Sequence, residues 1–187
     1  EINTVVRSFP PCMRNMYDAL TKNHKLFHQG RLHFGLFIKG IGLTLDESLK
    51  FWRTEMTKGI SLDEFEKQYA YNIRHSYGKE GAGKNLSAYS CAGIIRGPTP
   101  ATGQTHGCPF KYMTQQQLEQ LIKNMNSQIS ISQLNSIKEK AKANPGLACA
   151  DFFNTIHPER ELDETGVSHP NIYFNESEER YREKEDK

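Results

Sequence analysis

Four cysteines, Cys12, Cys91, Cys108 and Cys149, are the residues in this chain best suited to chemistry, and a run of bases begins just after the first of them. A thiolate is a nucleophile and a soft metal ligand. Four of them can form two disulfides, for which three pairings exist, hold a metal or an iron–sulfur cluster, or lie buried as small apolar side chains. None sits in a close pair, so the CxxC spacing of a zinc ribbon is absent. Cys149, within LACADFF, reads as a core residue. Two details favour a metal. Cys12 follows Pro10-Pro11, and Cys108 lies in His-Gly-Cys-Pro, a Cys-Pro step that also closes the common ferredoxin run.

The bases are Arg14, Lys22, Lys25, Arg31 and Lys39, with His24, His28 and His33 among them and Asp18 as the one acid of that stretch. Guanidinium forks and ammonium groups at this density suit a compact polyanion. The net charge is only +2, but it is unevenly spread: residues 67–112 hold six Lys or Arg and one acid, Glu80, while residues 44–66 hold six acids and residues 151–187 eleven. Segregation of this kind points to an anionic partner more than the mean charge does, with plainly solvated charge as the alternative reading. No HExxH, GxSxG or Walker loop occurs, and no paired carboxylates stand in a catalytic context, so the chain does not read as an enzyme by itself.

These residues need elements to position them. Pro10-Pro11 suits the start of a helix, and Met13, Met16, Tyr17 and Leu20 repeat at helical spacing to about Asn23. Gln29-Gly30 predicts a break, then a helix over 31–39 closing at Gly40 or Gly42. Thr44-Leu-Asp-Glu47 is a capping box, and Leu45, Leu49, Trp52 and Met56 follow on one face. Ser61-Leu-Asp-Glu64 repeats the device, and Leu62, Phe65, Tyr69 and Ile73 predict one helix to about His75. Residues 78–110 read mostly as loop, with room for a short helix over 87–95; a loop that long is uncommon unless functional or pinned. Three further helices are predicted: from Thr114, over Ile131–Ala141, and over Leu147–Ile156. No segment alternates as a strand does. The expected fold is therefore mainly α, a single helical domain with long irregular loops and little or no β-structure. No apolar run nears the ~20 residues of a membrane span, EINTVVRSF is not a signal peptide, and a start on Glu1 suggests a piece of a larger protein.

The blocks FPPCMRNMY, NHKLFHQGRLHFGLFIKGIGLTLDESLKFW, YAYNIRHSYGKEG, HGCPF and HPNIYF, in that order, resemble the C-terminal domain of the large subunit of eukaryotic DNA primase. The likeness runs from Phe9 to about Ser177, leaving residues 1–8 as an N-terminal extension and 178–187 as a charged tail or frayed helix. The resemblance implies a helical domain organised around one [4Fe–4S] cluster on Cys12, Cys91, Cys108 and Cys149. It implies a regulatory, DNA-binding role in RNA primer synthesis: holding the junction of DNA template and RNA primer and the 5′-triphosphate of the initiating nucleotide. Catalysis would belong to the primase small catalytic subunit, and the setting would be the nuclear assembly with DNA polymerase α, with no membrane involved. By motif position, His28, Arg31, Lys39, Asn72, Arg74 and His75 are the expected contacts, and Tyr69 and Tyr71 the expected stacking or packing rings. Family members often carry a further base where this chain has Phe27, and larger or charged residues around Gly81-Ala-Gly. His24 and His33 read as surface or helix-packing residues, His106 as orienting the cluster loop or touching nucleic acid, His169 as fixing a turn, and Trp52 as core. The competing reading is a zinc-stabilised helical protein-interaction domain.

Overall fold

The computed structural model describes residues 1–163 and 165–187; Glu164, one of the acids of the C-terminal run, lies outside the described residues. The helices in chain order are α1 (Ile2–Val5), α2 (Pro11–Asn23), α3 (His28–Gly40), α4 (Leu45–Met56), α5 (Leu62–Gln68), α6 (Ala70–Ser76), α7 (Cys91–Arg96), α8 (Pro109–Tyr112), α9 (Gln115–Met125), α10 (Ile131–Ala143), α11 (Pro145–Ile156) and α12 (Pro170–Glu185). A 3₁₀ turn at Val6–Ser8 follows α1. Among the described residues there is no strand, only an isolated antiparallel bridge between Tyr77 and Asn85. The fold is helical, as expected, and no described helix is long and apolar enough to cross a membrane.

Local chemistry explains most helix starts. Thr44, Thr114 and Ser130 form full capping boxes with Glu47, Gln117 and Gln133. Ser61 and Ser90 cap with their hydroxyls alone, and the Asn144 side chain accepts from the amides of Gly146 and Leu147. Each such acceptor satisfies an amide that has no partner within its helix, worth about 1 kcal/mol apiece.

The chain divides into two compact units. The first comprises residues 1–15, 90–99 and 107–187. Its core gathers Phe110, Leu118, Ile122, Leu134, Phe152 and Phe153, with Cys91, Cys108 and Cys149 packed against it. The second comprises residues 16–89 and 100–106. Its core is aromatic: the Phe34 ring meets Tyr17, Phe37, Phe51 and Trp52 at centroid distances of 5.9–6.4 Å. Trp52 is 3 % exposed and so is core, as its spacing indicates.

Three local expectations differ from the structure. Gly30 does not break α3; it lies inside it, because a Cβ there would stand 2.7 Å from the Thr105 carbonyl oxygen, and only glycine allows that approach. The break falls earlier, at His24, whose φ is 60°. The stripe from Leu62 to Ile73 is likewise two helices, interrupted at Tyr69 (φ −120°), where α6 begins without a side-chain cap. The charged C-terminal residues do not fray. They continue α12 with Glu178 and Arg180 buried: Glu178 accepts from Ser8 Oγ and, at 3.0 Å, from Arg7, while Arg180 donates to the carbonyls of Arg160 and Glu176. Residues 1–8 are thus tied to the C-terminal helix within the first unit.

Candidate functional site

The cysteines lie far apart in sequence, but the first unit brings all four to one cavity of about 260 Å³. Cys12 is the second residue of α2, Cys91 the first of α7, and Cys108 the N-cap of α8, with Pro109 next. Cys149 lies further along α11. Three of the sulfurs therefore sit at helix N-termini, where free amides and the helix dipole favour anionic sulfur. The amides of Phe110 and Lys111 bond to the Cys108 sulfur and that of Met13 to Cys12. The Cys91 amide donates to Ser168 O at 3.0 Å, pinning the strand of loop that leads into α12. Gly146 allows that loop to close: the Val167 amide donates to its carbonyl at 3.0 Å, and a Cβ on Gly146 would meet Val167 O at 2.9 Å.

All four cysteines are free thiols of intermediate exposure, and all four line the cavity. Burial pushes every one of them up, Cys91 to about 12; neighbouring thiols add to the shift at Cys12, Cys91 and Cys149, while at Cys108 the Phe110 and Lys111 amides oppose it. Left to themselves they are neutral. A bound cation reverses that logic, because a coordinating thiol is deprotonated outright and its proton released. Among the described residues no group of three or more His, Cys, Asp or Glu is arranged to hold a metal ion directly. The thiols instead surround a space equal to several water volumes at ~30 Å³ each. Soft donors, helix N-termini and room for more than one atom fit a cluster whose own atoms fill the centre. Two tyrosines near the thiols do not stand out in the sequence. Tyr173 is buried beside Cys149 and Cys12, and Tyr112 accepts a hydrogen bond from Asn15 Nδ2 at 3.2 Å. The four-residue step from Cys108 to Tyr112 is the signal that could have found the second.

In the second unit a smaller pocket, about 60 Å³, is lined by His28, Arg31, Trp52, Tyr69, Asn72 and Tyr77, among others. Arg31 is held by two contacts: its Nη1 donates to Leu26 O at 2.6 Å, and its guanidinium lies 5.0 Å from the Tyr69 ring centre. Burial lowers its pKa, Tyr69 opposes the shift, and the group stays charged. His28 is exposed at the first position of α3. That helix begins on Phe27, which has no side-chain oxygen to cap its free amides, unlike the hydroxyl-capped helices.

The remaining expected contacts lie outside this lining. Lys39 donates to Ser76 O at 2.8 Å, to Leu86 O at 2.5 Å and to Asn85 Oδ1, and lies 5.1 Å from the Tyr77 ring centre. Its three protons are thus used on the loop after α6. Arg74 pairs with Glu80 at 3.2 Å. The His75 ring stacks on Tyr71 at 6.2 Å, with Gly81 pressed against both, and Tyr71 is 46 % exposed. Phe27 is 42 % exposed, with the Lys25 ammonium 5.4 Å from its ring centre. His33 and His106 are both buried, their rings 6.2 Å apart, and burial lowers His33 to about 4, with His106 adding to it. His169 does fix a turn: its Nδ1 accepts from the Asn171 amide at 3.0 Å and caps α12.

Residues 3–174 match the family described as the C-terminal domain of the large subunit of eukaryotic and archaeal DNA primase. The chain belongs to that family. It is 43% identical to the human DNA primase large subunit over 175 residues, which is 91% of this chain and 33% of that protein. It is 42% identical to the Dictyostelium discoideum DNA primase large subunit over 181 residues, 96% of this chain and 38% of that one. A probable DNA primase large subunit of Arabidopsis thaliana is 40% identical over 171 residues, 91% and 37% of the two chains. This primase-family chain thus spans about a third of the length of these curated relatives.

Proposed function

We propose that this primase-family chain is a regulatory, non-catalytic module for RNA primer synthesis in DNA replication. In this reading it binds the junction of DNA template and RNA primer and the 5′-triphosphate of the initiating nucleotide. The observation that carries it is the gathering of His28, Arg31, Tyr69 and Asn72 around one pocket, beside the uncapped start of α3. A free helix N-terminus, an exposed imidazole and a charged guanidinium supply donors and positive potential for phosphate oxygens. Asn72 offers both a donor and an acceptor to a sugar or base edge. Lys39 acts by holding the loop over 76–86, and the exposed Tyr71 offers a ring on which a base can stack. Arg74 and His75 would meet the strand beyond the pocket, Arg74 on release from Glu80.

Cys12, Cys91, Cys108 and Cys149 would hold a [4Fe–4S] cluster, and the support is their convergence on one cavity with three helix N-termini among them. When bound, the cluster would supply a covalent tie between helices and a one-electron redox centre. Catalysis would reside in the primase small catalytic subunit, within the nuclear DNA polymerase α assembly.

Fluorescence anisotropy with template–primers that differ only at the primer 5′ end tests the binding role. Tighter binding to the triphosphate than to the hydroxyl is expected; equal affinity would remove the triphosphate from the function. Metal analysis of anaerobically purified chain tests the cluster. About four irons and broad visible absorbance are expected, whereas a colourless zinc protein that binds no nucleic acid would leave the protein-interaction reading standing.

A further inference from the structure

Tyr112 and Asn15 join two of the cysteine-bearing segments. Tyr112 lies four residues after Cys108, at the end of the single turn of α8, and its amide donates to Cys108 O at 3.1 Å. Asn15 lies three residues after Cys12 on α2, and steps of three and four residues share a helix face. The side chains meet: Asn15 Nδ2 donates to Tyr112 Oη at 3.2 Å. That contact links α2 to α8 by the residues that follow their cysteines on the same face. A phenol has one O–H to donate as well as oxygen lone pairs to accept with. Asn15 uses an acceptor site, and the O–H donates to no protein acceptor among the described residues. The phenol is also near both thiols: burial pushes Tyr112 up to about 12, and charge on Cys108 and Cys12 adds to that shift.

We infer that Asn15 and Tyr112 form a strut that sets Cys12 and Cys108 in place, and that the Tyr112 O–H donates to cluster-bound sulfur on that side. The inference rests on the four-cysteine cluster proposed above. Tyr112 is then a positioning residue with an electronic effect. A donor aimed at sulfur favours the more negative, reduced cluster and raises its reduction potential. Asn15 makes the effect directional, because by occupying the oxygen it leaves the proton for the sulfur.

The test uses the full chain purified without oxygen, with iron content, reduction potential and the rate of iron loss to a chelator measured together. Tyr112→Phe removes the O–H and keeps the ring. It should lower the potential while four irons remain bound, and a four-iron variant with an unchanged potential overturns the inference. Should the Phe variant fail to hold iron, Asn15→Ala carries the test, since it leaves the phenol in place and removes only the strut. Its iron should leave several-fold faster than from the unsubstituted chain, and an equal rate overturns the inference. An unsubstituted chain that is folded, colourless and free of iron overturns the cluster reading and this inference with it. An iron-loaded chain indifferent to both substitutions overturns the inference alone.

Discussion

The cysteine cavity buries four ionisable groups together, whereas the bases of the second unit are held one by one, and the two arrangements handle charge differently. In the first unit the thiols are buried together, and burial keeps them neutral until a cation arrives. In the second unit Arg31, Lys39 and Arg74 each meet acceptors or a ring. Arg31 has a carbonyl and a ring, Lys39 has two carbonyls and an amide oxygen, and Arg74 has a carboxylate. On the reading proposed above, the cavity would hold a permanent occupant that becomes part of the fold. On the same proposed reading the pocket takes an occupant that comes and goes, since Arg31, the guanidinium in its lining, already has a carbonyl and a ring as partners. Loss of the cavity's chemistry should therefore be felt as stability, and loss of the pocket's chemistry as affinity.

The largest effect expected from this contrast is at Cys149, on α11. Cys149→Ser replaces a thiolate donor by a hydroxyl that stays protonated. Metal binding of this kind is folding free energy, so the loss should exceed about 4 kcal/mol, the range reserved for a lost structural element. Urea unfolding beside iron analysis measures it. An unchanged midpoint with iron lost would make the cavity a docking site like the pocket, and the contrast would collapse.

The next effect separates burial from metal. His157, in the first unit but not a ligand, is 1 % exposed and bonded to Ser177 Oγ at 2.8 Å. Burial lowers it from 6.5 to about 4, helped by Arg180, Lys184 and Arg160 and opposed by Glu159. Between those two values the unfolded chain binds more protons than the folded one. Stability is therefore whole above about pH 6.5 and falls as pH drops toward 4, by about 3 kcal/mol in all. His157→Gln should flatten that part of the pH–stability curve, read by urea midpoints across about pH 4–7. A curve that keeps its slope would place the titrating group elsewhere.

How much of this is legible in the sequence depends on the range of the interaction. The capping boxes at Thr44 and Thr114, the stripe that buries Trp52 and the Pro11 start of α2 are local, and spacing displays them. Gly30 reads as a break, wrongly, because its reason is the Thr105 carbonyl, seventy-five positions away, and nothing beside Gly30 announces it. Glu178 and Arg180 read as solvated charge because their partners, Arg7, Ser8 and the carbonyl of Arg160, are remote in the chain. The cysteines are expected as ligands only through motif context, since no spacing rule covers Cys12 to Cys149; their approach to one cavity is visible only in the fold. Lys39 shows the converse: a motif position marks it for contact, while the structure shows its protons spent on Ser76, Asn85 and Leu86.

A third effect is one of affinity. Arg31→Ala removes a charge-assisted donor from the pocket, worth about 1.5–3 kcal/mol. Binding of a 5′-triphosphate primer end should weaken about ten- to a hundred-fold, and that of a 5′-hydroxyl end much less. Anisotropy with both primers measures the split. The urea midpoint should fall by less than for Cys149→Ser, since only the Leu26 carbonyl bond and the Tyr69 ring contact go with the side chain. An equal loss for the two ends would recast Arg31 as a general phosphate contact.

The smallest effect is at Phe27, the N-cap of α3 next to His28, where the ring is 42 % exposed. Phe27→Arg keeps a long side chain at a position 42 % exposed, where the ring faces the exposed ammonium of Lys25. It places a further positive charge beside the pocket. Each phosphate neutralised releases condensed counterion, so the plot of log affinity against log salt should steepen by about 0.7–0.9. Affinity should rise at low salt and converge with the unsubstituted chain as salt increases. This is a sharp test of where the nucleic acid lies, because one extra charge steepens the slope only if a phosphate passes within reach of position 27. An unchanged slope would mean that the strand leaves the pocket on another side, and Tyr71 and His75 would then become the place to look for it.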